Sequence, residues 1–360
     1  DVFERIIAKL KRRVPGMTMD DGQQAGNGMK IIQRCEVVTT AGESGRIGGF
    51  QLERMKPGFA NEIYGLFLRG KILDISGRLT AIRFSCRNAV LDELPFDQSV
   101  KGLFKLFARS GAKEFEFGLN LLGAPPDASI AVEAAFSSGG PVSLGTIEVS
   151  RSRLDPGYAP NFSPIILNSM GRSGTTLLMR LLSFHPQVYV HHEYPHELLA
   201  AHYWINFLDT LSTPQGGARL TGKWNMRDGR KRVVSSSPYY RLGVSAVCAR
   251  YLGGAYVPRL ARFCQENIDG IYGALIDQDE RVRAEGRSAN VIYFAETSLP
   301  LPGLIRELYP RAKDIYLVRD VRDGICSALS FNKKRGTPAF GRESVSSNEQ
   351  FAAQRADEFQ

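Results

Sequence analysis

The stretch Pro164-Ile165-Ile166-Leu167-Asn168-Ser169-Met170-Gly171-Arg172-Ser173-Gly174-Thr175-Thr176-Leu177-Leu178-Met179-Arg180-Leu181-Leu182-Ser183 decides the fold. Its opening apolar run is expected to be a buried strand. A glycine-punctuated turn over 169–174 follows. From Thr175 onward, Leu177, Leu178, Leu181 and Leu182 recur at helical spacing. A strand, a glycine loop and a helix N-terminus together make an anion site. The first N–H groups of a helix have no internal partner, and the macrodipole adds partial positive charge. Gly171 and Gly174 let the backbone come close to the anion. Arg172 brings fixed charge, and Ser173, Thr175 and Thr176 bring hydroxyl donors. The plainer reading is a helix start whose glycines only serve packing.

The nucleoside-triphosphate version of such a loop is G-x-x-x-x-G-K-[ST]. Laid over it, the lysine position holds Thr175 and the first-glycine position holds Ser169. A kinase or ATPase built this way would lack its main contact to the β/γ-phosphates. A second stretch, Asp314 to Asn332, repeats the strand-to-helix pattern. Ile315-Tyr316-Leu317-Val318 is expected to be a strand. Arg319 then stands at its C-terminal end, where open α/β sheets bind ligands. A helix from about Val321 would carry Ser327 two turns along. Alone, this piece reads equally well as a surface arginine with a capping serine.

Taken together, the two stretches resemble the P-loop sulfotransferases, which use 3′-phosphoadenosine-5′-phosphosulfate (PAPS). The run G-R-S-G-T-T-L-L over 171–178 is similar to that family's 5′-phosphosulfate loop. The family's 3′-phosphate site is a strand-end arginine and a later serine within R-[DN]-P-x-D-x-x-x-S. Arg319, Asp323 and Ser327 match it, while Val321 replaces its proline. The resemblance implies PAPS as co-substrate, PAP as product and no metal. It implies a hydroxyl or amine acceptor on a glycan, lipid or other small molecule. Gly171, Arg172, Ser173, Gly174, Thr175, Thr176, Arg319 and Ser327 would bind the nucleotide. The competing functions are a P-loop kinase, which the missing lysine opposes, and a glycan-binding protein with an inactive transferase domain, which the Arg319/Ser327 match opposes.

All five histidines fall between His185 and His202. His192-Glu193-Tyr194-Pro195-His196 formally matches H-E-x-x-H, the zinc-protease pattern. That motif needs a helix interior, and Pro195 is disfavoured there; it suits a helix start. For His185 and His202 a surface or capping role is expected. In tyrosylprotein and related sulfotransferases, a glutamate a few residues after the His-Pro that ends the first helix is the base. Here His185-Pro186 is that pair and Glu193 holds the matching position, with His192 and Glu197 as rivals. The resemblance therefore implies Glu193 and Arg172 as catalytic residues. It implies a Glu193 carboxylate facing the anion loop rather than bulk solvent. Glu296-Thr297 resembles the family's acidic-Thr element near the acceptor, so Glu296 and His192 are expected at the substrate. A helix cap is the plainer role for Glu296.

The chain of 360 residues is 43 % hydrophobic, enough for real cores and two domains. Its formal net charge is +9. A polyanionic nucleotide accounts for that charge; no basic stretch is interleaved with aromatics, so nucleic acid is not expected as a partner. The five cysteines are odd in number and form no C-x-x-C pair, which points to a reducing, cytoplasmic setting. No apolar run approaches the ~20 residues of a membrane span, and no signal-peptide core is visible.

In order along the chain, residues 1–29 read as a short basic helix and a linker. The helix, over 1–13, has the composition for weak contact with a membrane surface, though such segments more often dock on their own domain. Residues 30–150 are expected to form a β-sandwich, with strands at 31–38, 62–73, 79–86, 114–121, 129–136 and 142–149. The span 100–108 reads as a helix or a loop crossing. After a boundary over 150–162, residues 160–360 alternate strand and helix. Further helices are expected at 195–209, 238–252, 258–276 and 304–309, and strands at 188–190 and 290–295. Ser347 is expected to cap a last helix still running at Gln360, so the chain is expected to continue beyond it. The fold class is α/β: a P-loop-like parallel sheet flanked by helices, behind a smaller all-β sandwich domain.

Overall fold

The computed structural model describes residues 30–40, 45–87, 89–96, 112–169, 171–194, 196–214, 253–297 and 302–357. The expected helices at 1–13 and 238–252 and the element at 100–108 lie outside the described residues.

The N-terminal region is antiparallel. Its strands are β1 (Ile32–Thr39), β2 (Ile47–Met55), β3 (Gly65–Asp74), β4 (Leu79–Cys86), β5 (Ala89–Pro95), β6 (Ala112–Asn120), β7 (Asp127–Phe136) and β8 (Val142–Arg151). They form two sheets, β1-β8-β7-β4-β5 and β2-β3-β6. Alternation decides which faces turn inward: Ile130, Val132 and Ala134 on β7 are buried while Asp127 and Ser129 are exposed. Phe84 of β4 stacks on Phe117 of β6 with ring centres 4.9 Å apart, so the inner faces of the two sheets meet. Strands β2 and β5 are absent from the sequence expectation. Gly48-Gly49 and the charges of Glu53 and Arg54 hide the first, and Asp92, Glu93 and Pro95 hide the second. Both are edge strands, where such residues are tolerated.

The chain then crosses to a parallel sheet. Asp269 pins the crossing: its carboxylate accepts from Asn161 N (2.6 Å) and from the Tyr158 hydroxyl (2.8 Å). Strands and helices follow as β9 (Ser163–Ser169), α1 (Thr175–Leu182), β10 (Val188–Tyr189), α2 (Ala200–Ser212), α3 (Tyr256–Gln278), α4 (Glu280–Ala284), β11 (Tyr293–Thr297), α5 (Pro302–Leu308), β12 (Lys313–Leu317), α6 (Val321–Arg335) and α7 (Asn348–Asp357). The sheet order is β10-β11-β9-β12, and every described pair is parallel. The apolar run expected at 164–167 is its buried centre, with Ile166 at 1 % and Leu167 at 0 % exposure. Burying side chains of that size contributes roughly 1.5–3 kcal/mol each. The register pairs Ser169 with Leu317, so the ends of β9 and β12 lie side by side.

Helix α2 begins at Ala200, later than expected. His196 and Leu199 have φ of 71° and 57°. Left-handed residues cannot continue a helix, so the chain turns through 196–199 before winding. At the far end, Ser347 Oγ accepts from Gln350 N (3.2 Å), the capping expected of it. Among the described residues no helix is long and apolar enough to cross a membrane.

The two regions are joined by polar contacts. Arg151, with its side chain wholly buried, donates to both oxygens of Glu307 on α5 (2.7 and 2.8 Å). Glu307 also accepts from Gly123 N (2.9 Å) and Leu154 N (3.2 Å). Asn120 Nδ2 donates to Asp209 Oδ1 (3.1 Å) and Ser212 Oγ (2.9 Å) on α2. The backbones of Gly123 and Gly303 approach so closely that a Cβ on Gly303 would overlap the Gly123 carbonyl.

Candidate active site

The β9–α1 turn and the β12–α6 turn form one site because their strands are neighbours. Gly174 is the N-cap of α1 at φ 98°, and among the described residues no side chain caps the first N–H groups of that helix. Those donors and the positive end of the helix are therefore open to an anion. Gly171 is needed for space: a Cβ there would come within 2.7 Å of the Phe340 ring. Ser173, Thr175 and Thr176 are half-buried along this rim.

Arg172 and the second motif meet across the strand ends. Arg319 Nη1 donates to the Arg172 carbonyl (3.0 Å). Arg172 Nε donates to Ser327 Oγ (3.3 Å). Asp320 caps α6 by accepting from Arg322 N (2.9 Å), which starts the helix at Val321 and sets Ser327 on its inward side. Asp323 stands 3.9 Å from Arg319 Nη2, one turn into the helix, and both groups are largely exposed. Such a contact contributes little to stability. Two stretches far apart in sequence thus place two arginines and a serine hydroxyl in mutual contact.

The histidine-rich segment leaves β10, which β11 separates from β9 in the sheet. His196 N donates to the Glu193 carbonyl (2.6 Å) and His196 Nδ1 lies 2.9 Å from the His191 carbonyl. That tight turn directs Glu193 outward. Its side chain is 74 % exposed, and His191 Nε2 lies 3.7 Å from its carboxylate. The sequence expectation of a carboxylate sheltered from bulk solvent does not describe this geometry. His192 is half-exposed, with Nδ1 3.8 Å from Asp279 Oδ2. Burial alone would raise the Asp279 carboxyl, but bonds from the Arg281 side chain and backbone hold it below the usual range. Glu197 is exposed. His192 and His196 precede α2 instead of lying within a helix, so the zinc-protease arrangement is not formed. Among the described residues no three His, Cys, Asp or Glu side chains converge as metal ligands.

Glu296, at the end of β11, has no exposed surface. Its Oε1 accepts from Ala201 N (2.8 Å) and from the Tyr272 hydroxyl, and its Oε2 accepts from His202 N (3.2 Å). Burial pushes its carboxyl up, and those bonds oppose the shift. Both oxygens are taken up inside the protein at the N-terminus of α2, an earlier helix and not the one that follows Glu296 in sequence. His202 beside it is pushed down by burial.

The model of the sulfotransferase family matches residues 164–359. The chain belongs to the sulfotransferase family. No curated protein and no solved structure matches it. The matched span begins in β9 and takes in the β9–α1 and β12–α6 turns, α6 and all of α7. Family membership carries sulfuryl transfer in general, with a sulfuryl donor and an acceptor substrate.

Sequence reasoning missed Phe331 and Phe340. The Arg172 guanidinium lies over the Phe331 ring, 4.6 Å from its centre, and 6.0 Å from that of Phe340. Phe331 could have been found, since it lies one helical turn beyond Ser327 and shares its face. Phe340 carries no such signal, because it follows a left-handed glycine, Gly336 (φ 74°), that reverses the chain after α6.

Proposed function

We propose that this chain transfers a sulfuryl group from PAPS to a hydroxyl or amine of a glycan, lipid or other small-molecule acceptor. The observation that carries the reading is the contact of Arg172, Arg319 and Ser327 across the ends of β9 and β12. An uncapped helix N-terminus beside two arginines suits a ligand anionic at more than one point. In this reading the α1 N–H groups and the hydroxyls of Ser173, Thr175 and Thr176 hold the 5′-phosphosulfate against Gly171 and Gly174. Arg319 and Ser327 hold the 3′-phosphate. Residues 160–360 are the transferase domain and 30–150 a sandwich-type accessory domain. The unpaired thiols of Cys35, Cys86, Cys264 and Cys326 support a reducing, cytoplasmic setting.

The chemistry asks for two things from the protein. Arg172 neutralises negative charge that builds on the departing phosphate, and it is in place before the reaction. Glu193 takes the acceptor proton as the acceptor atom bonds to sulfur and the sulfur–phosphate oxygen bond breaks, leaving its electron pair on PAP. His192, exposed beside Glu193, contacts the acceptor. Glu296 sets the start of α2 and thereby the far end of the histidine segment.

A ligand that binds the native state raises its melting temperature. PAP should raise that of this protein well above the shift given by ATP with magnesium. AMP should fall below PAP, since it lacks the phosphate that Arg319 and Ser327 take up. Equal shifts with AMP and PAP would remove the 3′-phosphate assignment. The measurement is differential scanning fluorimetry at matched ligand concentrations.

A further inference from the structure

We propose that Phe331 and Phe340 are positioning residues that clamp the Arg172 guanidinium in its working orientation. The proposal rests on the reading of Arg172 as the loop cation.

Arg172 is a non-glycine residue at φ 70° in a turn between two glycines. Such a backbone conformation persists where its surroundings hold it. Four contacts do so. Arg319 holds the carbonyl, and Ser327 takes the Nε–H. Phe331 lies under the guanidinium plane at 4.6 Å, and Phe340 closes the side at 6.0 Å. Among the described residues Nε→Ser327 is the one side-chain hydrogen bond of Arg172, and no carboxylate pairs with it. The terminal amino groups are therefore left for an anion, while the Nε and one face are fixed by protein. A cation over an aromatic face is attracted by the ring quadrupole, a term a saturated side chain does not supply.

The clamp is itself supported. Phe340 packs on Phe331 with ring centres 5.7 Å apart at 67°. It also lies against Gly171 of the loop. Phe340 has φ 60° and is pinned from two directions. Asn332 closes the reversal after α6 through two bonds with Ala339, each 3.0 Å. Arg355 on α7 donates to the Phe340 carbonyl, while Phe351 of the same helix is buried at 1 % exposure. Both clamp phenylalanines are only partly buried. A ring kept at a half-exposed position beside a bare cation does more than fill volume.

The test separates ring from volume. Phe331→Leu and Phe340→Leu keep apolar bulk and lose the π-face; Phe331→Tyr and Phe340→Tyr keep the face. Phe331→Met stands in should a leucine variant fail to fold. In the ligand-free full chain, phenylglyoxal labelling of Arg172 is followed by peptide mass spectrometry. Labelling should be about fivefold faster in the Leu variants and unchanged in the Tyr variants. In turnover, the Leu variants should lose about tenfold in kcat while PAP affinity stays within about twofold. The same changes in an Arg172→Ala background should cost nothing further. Wild-type labelling rates in the Leu variants would overturn the proposal, as would a kcat loss that persists without Arg172. A wild-type chain that moves no sulfuryl group but shows the labelling pattern would leave the clamp standing and remove the donor assignment instead.

Discussion

Arg172 answers to partners that its own neighbourhood in sequence does not contain. Its nature as a loop cation is legible, because residue type and glycine spacing are local. So are Arg319 and Ser327, each fixed by a strand end and a helix period. Glu193 is legible only as a position after His185-Pro186; its exposure depends on the left-handed His196, which no pattern announces. If Glu193 is the proton acceptor, Glu193→Gln should lower kcat by ~10²–10⁴-fold and leave PAP affinity nearly unchanged. His192→Ala and Glu197→Gln are the controls, measured by steady-state transfer with a labelled donor. A fully active Glu193→Gln enzyme beside a dead variant of either neighbour would move the role to that neighbour. Glu296 is legible as a carboxylate at a strand end, while its burial against the start of α2 depends on contacts that no local pattern carries.

At the scale of elements, the site is a consequence of register. Ser169 sits opposite Leu317, so each turn begins where the other does. Strand β9 and helices α1, α3 and α6 follow from apolar period and flanking glycines. Strands β2 and β5 do not, since edge positions relax the alternation that makes a strand visible. The loop is sensitive to one added methyl group. In Gly171→Ala the new Cβ meets the Phe340 ring at 2.7 Å, and the backbone or the ring must give way. Overpacking of this kind costs about 1–3 kcal/mol, and a domain the size of the matched region loses roughly 2–4 °C per kcal/mol. Gly171→Ala should therefore melt a few degrees lower and bind PAP about tenfold more weakly. A variant that keeps the melting temperature but loses PAP would place the conflict in the ligand's space instead of Phe340's.

At the scale of the whole molecule, the antiparallel region and the transferase share a buried ion pair that no sequence pattern reveals, because Arg151 and Glu307 lie far apart in the chain. Both guanidinium amino groups and both carboxylate oxygens are in use there. Removing one partner strands the other charge, at a cost of about 3–5 kcal/mol. Arg151→Met should thus lower stability by that amount in urea titration. Tryptophan fluorescence and far-ultraviolet circular dichroism should move together, as both regions lose the same anchor. An unchanged midpoint would show that the pair is not holding the regions together.

The meeting of Gly123 and Gly303 has a consequence for how such a protein can change over generations. Neither position tolerates a side chain: a Cβ on Gly303 would overlap the Gly123 carbonyl, and one on Gly123, itself at φ 89°, would press on Leu304 N. Gene shuffling that replaced the N-terminal region with another module would have to bring a partner for Gly303 and an arginine for Glu307 in the same event. The two regions are therefore expected to be inherited as a pair, and a chimera joined anywhere between Arg151 and Ser163 would inherit half of a lock.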